Sequence, residues 1–254
     1  YIQASREVHP TQRDLVLMGG DWLMNPVSPN GSPSPQAPVA NAYVARAFET
    51  MGVDAANVGY SDLPGVLALD ALPEWAMSTN TQGLISTQVL EVDEVRVGVV
   101  AITRFGVQPV PGHRIVDPYA PAAAAIRQLS QSTDVQVLMS YGSSQVAAQL
   151  ARDVPELDVV IDADMHRGFF APDTVGDAIW VRSHYQTMRL GELRLSLDAG
   201  LVGLIVDRKI DLDPELPDEP RFAALAAEAK AAVAQALENA TTEDATQPYV
   251  LRPE

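Results

Sequence analysis

The chain has 254 residues, of which 47% are hydrophobic, and that is enough to bury one sizeable core. It contains no cysteine, which excludes disulfides, thiolate nucleophiles and zinc–thiolate clusters from these residues. The 33 acidic and 17 basic residues give a formal net charge of −16, which repels nucleic acid at long range. We therefore expect no nucleic-acid partner. No apolar run approaches the roughly 20 residues that span a bilayer, so we expect no membrane span.

Apolar runs alternate with helical patterns over the first two thirds of the chain, which favours βαβ units and an α/β fold. The five prolines of Asn25–Pro38 predict a loop. Strands are predicted at Arg13–Gly20, Asp54–Gly59, Val95–Thr103, Asp134–Ser140 and Leu157–Asp162. Helices are predicted at Ala40–Met51, Leu63–Leu72, Tyr119–Ser130 and Ser144–Asp153.

The pattern changes after Asp177 to short strands separated by polar turns. Successive antiparallel strands are predicted at Ala178–Arg182, Gly191–Asp198 and Leu201–Asp207. A proline-rich break precedes a predicted helix at Arg221–Glu238, and Asn239–Glu254 is predicted to be a polar tail. We expect one domain over residues 1–210 and a C-terminal helix and tail over 211–254. Because the sequence begins at Tyr1, we expect part of the N-terminal domain to lie upstream.

Four predicted segments end in short motifs that contain Gly, Asp, Tyr or His. They are Leu15–Leu23, Ala40–Leu63, Asp134–Gly142 and Leu157–His166. In this order and spacing they resemble the N-terminal domain of 5′-nucleotidases, within the calcineurin-like metallophosphoesterase superfamily, over about residues 13 to 210. The resemblance implies a four-layer α/β/β/α sandwich with metal ligands in loops at the strand ends. It also implies a periplasmic or extracellular location.

Several ligand positions of that family carry other residues here. The resemblance places Tyr60 where the family has a ligand Asn, Ser61 where it has the catalytic His, and Tyr141 and Asp164 where it has two more His. A phenol with a pKa of about 10 is a weak ligand for a hard cation. A serine cannot supply the proton that an imidazole supplies near neutral pH. We therefore predict that two-metal hydrolysis is lost and name no catalytic or cofactor-binding residue.

Three polar residues at ligand positions of the family are candidate metal ligands. Asp21 occupies the position of the bridging aspartate, Asp164 replaces one His, and His166 keeps the other. Carboxylate and imidazole sets bind divalent cations, so these three could hold one Mn, Zn, Mg or Ca ion. Alternatively, they are inherited polar residues that are hydrogen-bonded to each other and to loop amides. His184 is either a substitute ligand or a solvent-facing turn residue.

Two functions of different classes are consistent with this sequence. The first is a scaffold or binding module that acts with other protein subunits in an exported assembly. The second is a remodelled metal-dependent phosphoesterase that acts on nucleotides or related phosphate esters, with Asp62 or His184 as extra ligands. A third, intermediate possibility is a small phosphate-containing ligand in the old cleft, which the sequence does not separate from pure scaffolding.

Overall fold

The computed structural model describes residues 14–27, 34–106, 113–163, 172–183, 189–212 and 218–246. The strands are β1 (Leu17–Met18), β2 (Ala55–Asn57), β3 (Ala76–Met77), β4 (Thr87–Val92), β5 (Val95–Thr103), β6 (Val135–Tyr141), β7 (Val159–Asp162), β8 (Asp173–Val175), β9 (Ala178–Arg182), β10 (Arg189–Asp198) and β11 (Leu201–Asp211). The helices are α1 (Ala37–Met51), α2 (Leu63–Leu67), α3 (Tyr119–Leu129), α4 (Ser144–Asp153) and α5 (Pro220–Thr246). No described helix is both long enough and apolar enough to cross a membrane.

The largest sheet has the strand order β4-β5-β6-β7-β9-β8. Its four central strands are parallel, and an antiparallel strand lies at each edge. All seven residues of β6 are buried, as expected for a parallel strand that is covered on both faces. A second, smaller sheet contains β1, β2 and β3 in parallel, and β10 pairs with β11 in an antiparallel hairpin.

Three apolar layers separate four layers of secondary structure. The first lies between the large sheet and helices α3 and α4, and it includes Ile102, Ile126, Leu138, Leu150, Val160 and Trp180. The second lies between the two sheets, where Leu193, Leu195 and Val202 of the hairpin pack against Ala55, Met77, Val99, Val137 and Met139. The third lies beneath α1 and α2 and includes Phe48, Val58, Leu63, Val66 and Trp75. This order confirms the predicted four-layer α/β/β/α sandwich.

Most of the predicted elements are confirmed, and three are wrong in part. Strand β9 pairs in parallel with β7, so it belongs to the large sheet and not to the antiparallel run formed by β10 and β11. Helix α2 ends at Leu67 because most of the next residues to Leu72 are exposed and no core contact holds further turns. Helix α5 continues to Thr246, through the first part of the predicted tail, since no Gly or Pro interrupts it.

The C-terminal helix α5 lies against α1. Its half-buried residues recur every three or four positions, which places them along one face. The Arg46 guanidinium of α1 lies 3.3 Å from the Glu228 carboxylate of α5. This pair is exposed, so its contribution to stability is at most about 1 kcal/mol. The expected division at residues 210 and 211 stays a prediction.

Candidate functional site

The candidate site lies where strands of both sheets reach their carboxyl ends. Asp21 follows β1, Tyr60 and Ser61 follow β2, and Tyr141 is the last residue of β6. The tyrosine rings of residues 60 and 141 have centroids 5.6 Å apart. The structure therefore brings together four of the positions that the sequence singled out. In α/β proteins, ligands bind at this end of the strands.

The backbone around Asp21 adopts a conformation that few residues tolerate. Gly20 has φ 128° and Asp21 has φ 61°, which lies in the left-handed region. Glycine enters that region freely, and aspartate does so more readily than most other residues. The turn directs the Asp21 side chain outward, where it is exposed. Such a backbone persists when the surrounding structure fixes it, and a buried carboxylate does so here.

The carboxylate of Asp62 ties the two loops of the site together. Its Oδ1 accepts hydrogen bonds from the amides of Trp22 and Leu23 at 2.7 and 2.8 Å. Its Oδ2 accepts from Asp21 at 2.7 Å and from Gly59 at 2.9 Å. Asp62 is fully buried, and both oxygens are occupied by backbone donors. The expectation that Asp62 adds a metal ligand is therefore wrong, because ligation would require breaking these bonds.

Burial also changes the acidity of this carboxyl. Desolvation raises the pKa of Asp62 to about 7, and the four backbone amides act in the opposite direction. The sequence named Asp62 only as a possible ligand and gave no signal for its structural role. That role depends on which amides face the carboxylate, and no sequence spacing reports this.

Two hydroxyl groups lie next to the carboxylate of Asp21. Ser61 Oγ donates to Asp21 Oδ1 at 2.8 Å and lies 3.4 Å from the hydroxyl oxygen of Tyr141. Burial, together with the negative charge of Asp21, raises the pKa of Tyr141, which therefore stays a neutral phenol at neutral pH. The side chains that lie next to the Asp21 carboxylate thus carry neutral hydroxyl groups.

Two glycines make room for the Tyr141 ring. A Cβ at Gly20 would lie 2.9 Å from Tyr141 Cγ, and a Cβ at Gly59 would lie 2.6 Å from Tyr141 Cδ1. Both distances are far below a normal van der Waals contact. The neighbouring Tyr60 is held through its amide, which donates to Thr103 Oγ1 at 2.8 Å. Sequence reasoning missed this dependence because the two glycines are far from Tyr141 along the chain.

The chain is similar to several solved protein structures. No family model and no curated protein matches the chain. The Thermus thermophilus sulfate thiohydrolase SoxB, solved with glycerol, is similar at 18% identity and a TM-score of 0.76, over 91% of this chain and 45% of SoxB. A 5′-nucleotidase precursor, also from Thermus thermophilus, is similar at 20% identity and a TM-score of 0.70, over 92% of this chain and 52% of that protein. The calcineurin-like phosphoesterase YfkN from Bacillus subtilis is similar at 11% identity and a TM-score of 0.66, over 91% of this chain and 87% of YfkN.

The chain has the calcineurin-like metallophosphoesterase fold. It spans about half the length of SoxB and of the 5′-nucleotidase precursor. The resemblance noted in the sequence is therefore confirmed for the architecture. At these identities the structural likeness establishes the fold alone.

A two-metal centre, which the metallophosphoesterase fold implies, does not fit the described residues. Among them, no group of three or more His, Cys, Asp or Glu side chains could hold a metal ion. The groups that face Asp21 are Ser61 and Tyr141, whose hydroxyls are poor cation ligands when neutral. Asp164 and His166 of the predicted single-cation site lie outside the described residues, as does His184. That site stays a prediction.

A second buried carboxylate, Asp162, faces away from this cleft. Side chains alternate along a strand, so Asp162 shares the face of Val160, which packs toward α3 and α4. Ser144 Oγ donates to Asp162 Oδ1 at 2.9 Å, and Arg182 Nε lies 3.5 Å from Asp162 Oδ2. Here the residue belongs to an internal ion pair of the metallophosphoesterase sandwich.

Proposed function

We propose that this domain has lost two-metal phosphate-ester hydrolysis and serves as a scaffold or binding module. One observation carries the proposal: Ser61 Oγ donates a hydrogen bond to Asp21 at 2.8 Å, at the position where the family has an imidazole. Two of the matched structures are named as a 5′-nucleotidase precursor and a calcineurin-like phosphoesterase, and the proposal concerns what this chain does with the fold.

The electrostatics of the cleft support this proposal. In a two-metal site, cations offset the charge of the bridging carboxylate and bind through oxygen or nitrogen lone pairs. Here the Asp21 carboxylate receives a hydroxyl hydrogen, and the nearby Tyr141 phenol stays protonated because its pKa is raised. Two neutral hydroxyls bind a divalent cation too weakly to offset the cost of removing its coordinated water.

The chemistry of proton transfer supports it as well. A general acid works best when its pKa lies near the working pH, which an imidazole achieves and a serine hydroxyl does not. Ser61 and Tyr60 occupy the loop where the resemblance places the proton donor and a ligand amide. Neither side chain provides an equivalent group.

We further propose that the domain acts in an exported assembly with other protein subunits. One matched structure is named as a precursor of a 5′-nucleotidase, which is consistent with export of that protein. The net charge of −16 keeps the surface soluble and disfavours nucleic acid, so we propose protein partners.

The alternative is a remodelled phosphoesterase that uses one cation at Asp21, Asp164 and His166. The observation that favours it is the retained geometry of Asp21, whose exposed carboxylate is fixed by the Asp62 tether. Its substrates would be nucleotides or related phosphate esters. A small phosphate-containing ligand without turnover is the intermediate case.

One experiment separates these functions. The purified chain is analysed for bound Mn, Zn, Mg and Ca, and hydrolysis of a chromogenic phosphate ester and of nucleotides is measured with added Mn²⁺. We expect no stoichiometric metal and no turnover above that of Asp21→Ala. Tight metal with turnover that disappears in Asp21→Ala, but not in the exposed control Asp70→Ala, would establish the alternative. Thermal shifts with inorganic phosphate and nucleotides test the ligand-binding case.

A further inference from the structure

The carboxylate of Asp21 presents hydrogen-bond acceptors to solvent. Asp21 is exposed, and its Oδ1 accepts a hydrogen bond from Ser61 Oγ at 2.8 Å. An ionised carboxylate has about four lone-pair positions, and the hydroxyls of Ser61 and Tyr141 use at most two of them. The Asp21 amide donates to Asp62 Oδ2 at 2.7 Å, which fixes the backbone beneath the side chain. The site therefore holds an acceptor in a set position.

Arg104 brings hydrogen-bond donors to the same end of the strands. It follows β5, and its amide donates to the carbonyl of Tyr141 at 3.0 Å. A Cβ on Gly142 would lie 3.9 Å from Arg104 Cδ and 3.7 Å from Tyr60 Cε1, so the arginine stem runs close to the Tyr60 ring. Arg104 is exposed, and its guanidinium makes no hydrogen bond or ion pair with the residues that the structure describes. Its N–H groups are therefore available to a ligand.

Tyr60 adds flat apolar surface between these polar groups. Its ring is half-buried and lies 5.6 Å from the ring of Tyr141, centroid to centroid. Its amide is fixed by the hydrogen bond to Thr103 Oγ1 at 2.8 Å. Its hydroxyl has no hydrogen-bond partner within the described ranges. Binding sites for small molecules commonly combine an aromatic surface with a few fixed polar groups.

We propose that Asp21, Tyr60, Ser61 and Arg104 bind an uncharged polyhydroxylated ligand, a sugar ring. Sugar hydroxyls donate to the Asp21 carboxylate and accept from the Arg104 guanidinium, and the C–H face of the ring packs on Tyr60. A hydroxyl both donates and accepts, so one ligand of this kind satisfies both side chains. The inference rests on the proposed function, because it names a ligand for the binding module.

The charges of the site favour a neutral ligand over an ionic one. A phosphate or carboxylate beside Asp21 would meet a like charge whose backbone Asp62 holds in place. The net charge of −16 also repels anions at long range. An ammonium group on the Tyr60 ring would meet the guanidinium of Arg104. An uncharged sugar meets neither repulsion, and its hydrogen bonds to the two ionised side chains are stronger than those between neutral groups.

Ligand-observed NMR titrations test this proposal with glucose, galactose and mannose as probes. Each neutral sugar is compared with its uronic acid and its 6-amino-6-deoxy analogue, which have the same ring and a negative or positive charge. Glycine and inorganic phosphate serve as a zwitterionic and an anionic probe. We expect at least one neutral sugar to bind with a millimolar Kd, about tenfold more tightly than both of its charged analogues.

Two variants assign the charge selectivity to individual residues. Asp21→Asn keeps the left-handed backbone, which asparagine tolerates as aspartate does, and removes the charge. It is expected to weaken neutral-sugar binding about tenfold and to reduce the discrimination against the uronic acid. Arg104→Gln is expected to reduce the discrimination against the amino sugar. Asp70→Asn and Arg152→Gln, both on the exposed surface, are the matched controls and are expected to change neither property.

Thermal unfolding shows whether each variant is folded. The proposal is overturned if none of the three neutral sugars binds, or if a charged analogue, glycine or phosphate binds as tightly as the neutral sugar. Control variants that weaken binding as much as Asp21→Asn and Arg104→Gln also overturn it.

Titrations in the presence of EDTA separate this inference from the proposed function. Neutral-sugar binding is expected to persist, because no cation takes part in it. A chain that binds no sugar, holds no metal and hydrolyses no phosphate ester refutes the sugar site alone and leaves the proposed loss of hydrolysis standing. Sugar binding that EDTA abolishes and Mn²⁺ restores would overturn both, since it would place a cation in the site.

Discussion

Tyr141 fills the space left by the missing side chain of Gly59, so that a Cβ on Gly59 would lie 2.6 Å from Tyr141 Cδ1. The same Cβ would lie 2.9 Å from Asp62 Oδ2. The aromatic side chain at residue 141 and the glycine at residue 59 therefore depend on each other. This dependence gives the first prediction.

Gly59→Ala is expected to lower the free energy of unfolding by about 1–3 kcal/mol, the usual cost of overpacking. In a Tyr141→Ala background the same change should cost less, because the ring is gone. Chemical denaturation of the two single variants and the double variant measures this coupling. Gly191→Ala is the matched control, since a Cβ there meets nothing within 4 Å. Equal costs of Gly59→Ala in both backgrounds would contradict the steric explanation.

Asp62→Asn is expected to destabilise the protein by about 3 kcal/mol. The amide keeps the shape of the carboxylate but turns one acceptor into a donor, which then faces backbone N–H groups. Denaturant unfolding measures the loss, and hydrogen exchange at Asp21, Trp22 and Leu23 shows whether the loop has opened. Asp70→Asn on the exposed surface is the control. Wild-type protection of those amides in Asp62→Asn would refute the tether.

Tyr141 predicts a specific pH dependence of stability. Its folded-state pKa is raised by burial above the unfolded value of about 10, so the folded chain holds a proton that the unfolded chain releases. This contribution is complete below pH of about 10 and is lost as the pH rises through the folded-state pKa. Unfolding free energies measured on both sides of pH 10 should therefore fall more steeply for the wild type than for Tyr141→Phe. Parallel slopes would rule out a raised pKa at this residue.

Restoring the family residues tests whether side chains account for the predicted loss of metal binding. The triple variant Tyr60→Asn/Ser61→His/Tyr141→His replaces three hydroxyls near Asp21 with nitrogen and amide-oxygen ligands. We expect its affinity for Mn²⁺ or Zn²⁺, measured by titration calorimetry, to exceed that of the wild type by about tenfold or more. Ser132→His on the surface controls for an added imidazole. A folded triple variant without this gain would show that other residues limit binding.

The sequence predicted the elements that local residue patterns determine, and it did not predict features that depend on contacts between distant residues. Val95–Thr103 and Ser144–Asp153 were predicted with the correct bounds because an apolar run and a helical period report burial directly. The pairing of β9 with β7 could not be read from its sequence, since a short apolar run fits a parallel and an antiparallel strand equally well. The grouping of Asp21, Tyr60, Ser61 and Tyr141 at the carboxyl ends of strands from both sheets followed from the family resemblance.

The side-chain and backbone contacts within the site could not be predicted from the sequence. The spacing between Asp62 and the amides of residues 21–23 is about 40 positions, and it carries no periodicity. The two glycines that admit Tyr141 are ordinary turn residues in the sequence. Interactions of this kind are set by the three-dimensional path of the loops, and they become visible only when the sheets are assembled.

The Asp62 carboxylate holds the loops of the cleft through hydrogen bonds from main-chain amides alone. These hydrogen bonds do not involve the side chains of residues 60 and 61, so those two residues can be exchanged without loss of the contacts that hold the loops together. The cleft can therefore change its chemistry by substitution while its frame is inherited intact. For protein engineering, the fixed backbone of these loops offers positions at which new binding side chains can be introduced.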